Sequence, residues 1–228
     1  MSNNVTNIVR FRGDESRIEE LRTAVQDDRY GKIGIAFEKI IPMPENLFMG
    51  AVGIRERELY DTNNWLDWSL ANWGSKWKSM PTEDPDEVYV PDTLRFLTAN
   101  NPPHPVLQKL SEMYPDITME HQWADYNIGY GCGQRTYKAG NIIDEYCPDY
   151  GRRAIEFSCE VIGQTPADRG LVLSDDGTDY VSMELMEGGR QLLISKASRR
   201  RICGRSTARK VSFCKAAHMI FAISWGVV

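Results

Sequence analysis

Apolar and polar positions alternate from Asn4 to Arg12, with Val5, Ile8 and Phe11 as the apolar points, and this predicts a strand. Asp14 or Ser16 can cap the helix that follows. Ile18, Leu21, Ala24 and Val25 then give a helical face through about Gln26. Ile33, Ile35 and Phe37 form a second short alternating segment that runs through Ile40 and Ile41. Pro42 and Pro44 stop it, because proline cannot donate a ladder bond. The spacing of Trp65, Trp68, Asn72 and Lys76 predicts a helix over 65–77, with Gly74 as its end. Val88–Val90 and Leu94–Thr98 read as strands. The prolines at 102, 103 and 105 open a helix carrying Val106, Leu107, Leu110 and Met113, and Tyr114-Pro115 closes it. Ile117 to Trp123 alternates again. Gly131-Cys132-Gly133 suggests a bulge or a tight crossing, and Tyr137 to Ile143 reads as a turn between strands.

The order is strand, helix, strand, then strand, helix, strand, strand. It predicts a ferredoxin-like α+β domain over residues 1–145, an antiparallel sheet with helices on one face. From 146 to 195 the pattern weakens to additional strands or an extension. Ala154 to Ile162 alternates in part, Ser174 to Gly177 is a turn, and Leu192 to Ile194 could add a strand. Residues 196–228 read as a weakly structured basic tail.

Charge sharpens that division. Residues 188–228 hold nine Lys or Arg and no acid, whereas residues 1–187 hold 18 basic and 32 acidic residues. A body of net −14 suits a basic partner better than a phosphate backbone. No run reaches the roughly 20 apolar residues of a membrane helix. Met1-Ser2-Asn3-Asn4 lacks the basic start of a signal peptide, so no membrane association and a cytoplasmic location are expected. The five cysteines are an odd number without a C-x-x-C pair, which argues against a disulfide framework or a zinc ribbon. Cys132, Cys147 and His121 could hold a metal only if folding assembled them. No metal and no cofactor are expected.

Three segments carry a family resemblance. They are Phe37-Glu38-Lys39-Ile40-Ile41-Pro42-Met43-Pro44-Glu45-Asn46-Leu47, Asn72-Trp73-Gly74-Ser75-Lys76-Trp77, and Leu110 to Thr118 leading into Glu120-His121-Gln122-Trp123. In order and spacing they resemble the YubB-type ferredoxin-like family of plasmid and phage proteins, also described as Api-like. The resemblance covers roughly residues 1–145. It implies a ferredoxin-like fold and a setting in mobile genetic elements, and it carries no reaction. "Ferredoxin-like" names the fold alone, and the cysteine spacing of an iron–sulfur centre is missing.

Candidate sites follow from residue chemistry. Trp73 and Trp77 lie four apart and would share a helix face beside Lys76, a platform for a base or a protein anchor, or else core filling. Trp123, Tyr126, Tyr130 and Tyr137 could stack bases on an open sheet, with Arg135 and Lys138 on phosphate. His121 is a weak candidate for a general base, with Glu120, Asp125 or Cys132 as helper, although alternation puts Glu120 on the opposite face. His104, between prolines, suggests nothing.

The leading expectation is a non-enzymatic binding protein of a mobile element that acts on a host or element macromolecule, with a protein as the expected partner. An acidic inhibitor of a host DNA-acting or defence protein is its sharper form. That form requires Asp61, Asp67, Glu83, Asp84, Asp86 and Glu87 on one face. Single-stranded nucleic-acid binding is the second reading, and an enzyme using His121 is the third.

Overall fold

The computed structural model describes residues 3–82 and 89–183. The described residues up to Val181 form one compact unit. The expected strand at Leu192–Ile194 and the basic tail lie outside the described residues.

Seven strands and five helices make up the described chain. In order they are β1 (Asn4–Arg12), α1 (Glu15–Ala24), α2 (Ile54–Tyr60), α3 (Trp65–Asn72), β2 (Thr93–Ala99), α4 (His104–Met113), β3 (Thr118–Asp125), β4 (Gly133–Lys138), β5 (Asn141–Tyr146), α5 (Arg152–Ile162), β6 (Leu171–Leu173) and β7 (Tyr180–Ser182). Strands β1 to β5 form an antiparallel sheet in the order β2-β1-β3-β4-β5. β6 and β7 are a separate hairpin, closed by the turn expected at Ser174–Gly177.

Register explains the two faces. Val9, Phe11, Leu94, Phe96, Met119 and Tyr137 share one side, and Ile18 and Leu21 of α1 and Val106, Leu107 and Leu110 of α4 pack on it. Asp14 caps α1 by accepting from the backbone N–H groups of Ser16 and Arg17, as its sequence predicts. Arg22, on the last turn of α1, is buried and donates to the Thr93 and Val90 carbonyls at 2.7 and 3.2 Å, tying α1 to β2.

Two segments differ from their predicted form. Ile33–Ile41 is not a strand: Ile35, Phe37 and Ile40 are buried from an irregular stretch with one 3₁₀ turn at Phe37–Lys39. Residues 154–162 are helical. Ala154, Ser158 and Val161 recur at helical spacing and cover Ile8 and Ala124 on the second face of the sheet. Helices therefore occupy part of both faces. Arg95 anchors this arrangement by donating to the Val161 and Ile162 carbonyls at the C-terminal end of α5, where the helix dipole favours a cation.

Candidate functional site

α4 lies over β3 and β4, and polar side chains of the sheet gather beneath it beside its own His104. Asn7 occupies an inward position of β1, opposite Phe96 on β2 and Trp123 on β3. Its amide donates to the Val5 carbonyl and the Thr98 hydroxyl, both at 2.9 Å, so its carbonyl oxygen is left to accept. That oxygen faces His121 Nε2 at 3.1 Å. The network thus assigns the His121 proton to Nε2 and leaves Nδ1 as a bare lone pair, buried without a partner.

The second half of the cluster is a relay of donors. The Arg135 guanidinium reaches both Glu145, at 2.6 Å, and the Tyr137 hydroxyl. Tyr137 in turn meets His104 Nδ1 at 2.8 Å. With Arg135 donating to it, the phenol donates onward, which places the His104 proton on Nε2. The rings pack closely: His104 lies 4.6 Å from Trp123 and 5.6 Å from His121, edge to face in both cases.

Both imidazoles are neutral in this setting. Burial, and then the Arg135 charge, lowers the His121 pKa to about 3. Burial also pushes His104 well below its ordinary value, and His121 and Arg135 add to it. Burial raises the Tyr137 phenol out of physiological reach. The arrangement is suited to holding α4 on the sheet with neutral rings. Of its buried side-chain atoms, His121 Nδ1 is left without a hydrogen-bond partner.

The sequence candidates separate. Trp123 and Tyr137 are buried on the helix-covered face, so they do not form an open stacking surface. Tyr130 is exposed and sits 5.4 Å from the ring of Tyr150. Tyr126 is exposed, with Arg169 over its ring at 4.3 Å. Trp73 and Trp77 do not share a helix face, because α3 ends at Asn72. Trp73 is buried, donates its indole N–H to the Ile41 carbonyl at 2.9 Å, and meets Phe37 and Trp68 edge to face. Gly74 then turns the chain with φ +75°, where an added Cβ would come within 2.8 Å of Pro105. Trp77 is 43% exposed and carries Lys76 over its ring. Of that platform, one indole and one cation remain at the surface.

His121 is separated from its expected helpers. Glu120 points to the other face and pairs with Arg12. Cys132 belongs to the α5 side of the sheet, against Ala154, while His121 lies under α4, so the metal grouping is not assembled. Asp67 is held by Arg57 at 3.1 Å, and residues 83–87 of the expected acidic cluster lie outside the described residues. Asn7, His104, Thr98 and Glu145 were not singled out from sequence. Asn7 had a signal: a polar residue at an inward position of an apolar strand requires partners.

Beside this sealed cluster lies an open feature. β5 is an edge of the sheet, paired to β4 alone among the described residues, and all six of its residues are exposed. It displays Ile142, Ile143 and Tyr146.

An antiparallel sheet with helices packed across it defines an α+β domain of the ferredoxin-like kind. The chain belongs to the family described as the ferredoxin-like domain in Api92-like protein, which matches residues 60–175. It is also similar to the crystal structure of the protein api92 from Yersinia pseudotuberculosis, at 17% identity and a TM-score of 0.33. That match covers 51% of this chain and 40% of the other. No curated protein matches the chain. Among the described residues no helix is long and apolar enough to cross a membrane.

Proposed function

We propose that the protein is a binding module of a mobile genetic element and that its partner is another protein. The observation that carries this reading is the exposed edge strand β5, paired to β4 alone among the described residues, which presents Ile142, Ile143 and Tyr146. Large apolar side chains on such an edge suit a protein surface. The site chemistry agrees. The histidines are neutral, buried and committed to internal partners, which fits a structural role better than proton transfer. The nucleic-acid reading loses two of its four stacking rings to burial.

The net −14 of residues 1–187 supports the finer form, in which the protein occupies a basic surface of a host DNA-acting or defence protein. The test is capture by the full chain from a host lysate at low and high salt, with and without nuclease. Expected is a protein partner that survives nuclease and is released by salt. Recovery of nucleic acid alone, lost on nuclease treatment, overturns the reading.

A further inference from the structure

We propose that β5 is a docking edge for an extended basic peptide, which adds to the sheet as a sixth strand. The proposal rests on the protein-partner reading and names the surface and the chemistry of the partner.

The two edges of the sheet are unlike. β2, at one edge, is partly covered, because Met80 and Leu97 exchange backbone hydrogen bonds at 2.9 and 2.8 Å. β5, at the other, has no such cover among the described residues. In an antiparallel pair the alternate N–H and C=O groups of an edge strand point away from its neighbour, so β5 offers a row of donors and acceptors to an added strand. The strand is long enough to hold one: six residues, with a register shift against β4 that frees Ile143 from direct pairing.

Side chains specify what would pair there. Ile142 and Glu145 lie on the α4 side, opposite Tyr137 and Arg135, while Asp144 and Tyr146 lie on the α5 side. Ile143 is 60% exposed. Residues 139–151 contain Asp144, Glu145 and Asp149 and no Lys or Arg. A partner strand therefore meets apolar side chains at one end of β5 and carboxylates in its centre. Cross-strand pairing favours opposite charge there and disfavours like charge. The occupant that fits has lysine or arginine against Asp144, since Glu145 is already paired with Arg135, and branched aliphatic residues against Ile142 and Ile143. Peptides that add to sheet edges take their affinity from the main chain and their selectivity from such side-chain pairs.

The probe is a synthetic nonapeptide with two central lysines flanked by valines and threonines. It is followed by fluorescence anisotropy and by hydrogen exchange of the full chain. Binding should slow exchange of the 141–146 amides at least tenfold. Glutamate in place of the lysines, or N-methylation of alternate peptide amides, should weaken binding tenfold or more. Asp144→Lys, an exposed substitution that leaves the sheet core untouched, should do the same. Equal binding of the glutamate peptide, protection away from β5, or no binding at millimolar peptide overturns the proposal. So does a dimer mass that the peptide does not reverse, which would make a second copy the occupant. If nuclease-resistant capture from lysate persists in Asp144→Lys, the protein-partner reading stands and the docking edge falls. If capture is lost to nuclease, the reading itself falls.

Discussion

Acid should unfold this protein through His121 before its carboxylates matter. In the unfolded chain the imidazole has its ordinary pKa near 6.5, and in the fold burial and Arg135 lower it to about 3. A depressed histidine keeps its full contribution above the unfolded value and loses it as pH falls toward the folded one. Each pH unit inside that window costs about 1.4 kcal/mol per proton taken up on unfolding. Between pH 8 and pH 5 the loss from His121 is then about 2 kcal/mol, and the whole window is worth about 5 kcal/mol. His104 shifts in the same direction and adds to the loss. The lowered carboxylates, among them Asp67 and Asp116, respond at lower pH, while Asp125, raised by burial, acts in the opposite sense, so the His121 share is read from the difference between the protein and its His121 variant. Urea unfolding at one-unit pH steps gives the slope. His121→Gln, which keeps a neutral donor toward Asn7, should flatten it by about 2 kcal/mol across the same range. An unchanged slope in that variant, or an NMR titration of His121 near 6.5, would refute the reasoning.

The tryptophan pair gives a contrast: Trp73→Ala should cost about 3–5 kcal/mol in chemical denaturation, and Trp77→Ala about 0.5 kcal/mol or less. Gly74→Ala should destabilise by about 2 kcal/mol in the same assay, since it imposes both a left-handed alanine and a contact with Pro105. The β4–β5 turn runs through Ala139 and Gly140, with φ of 49° and 78°. Asparagine tolerates that conformation better than alanine, so Ala139→Asn should stabilise by about 1 kcal/mol, read as a higher midpoint.

The strands that alternate cleanly were legible. β3 buries Met119, His121 and Trp123 at every second position, and that period survives in the sequence, whereas β1 is buried on both faces from Val5 to Val9 and was legible from its apolar content. Ile33–Ile41 deceived because burial, rather than pairing, sets its pattern: the chain there folds back on Val25 through Ala36 and never joins the sheet. α5 was obscured because its inward face uses Ala154, Ser158 and Cys159, which carry little hydrophobic signal. Its stop signal, Gly163 in the left-handed region, was present. The polar cluster was the least visible part. His104 and Tyr137 are 33 residues apart and meet only because α4 crosses β4, a distance that no local period encodes.

β1 has a consequence for how the chain reaches its fold. It lies in the middle of the sheet, between β2 and β3, yet its partners are 80 residues and more downstream. Between β1 and its first sheet partner, β2, lie α1, the irregular segment, α2 and α3. Closing a loop of that size slows folding, because its entropy is lost before any contact compensates. The family match begins at residue 60, so the central strand comes from sequence outside it. A fragment containing the matched residues alone would have β2 and β3 flanking an empty slot, open to any extended chain that could take the place of β1.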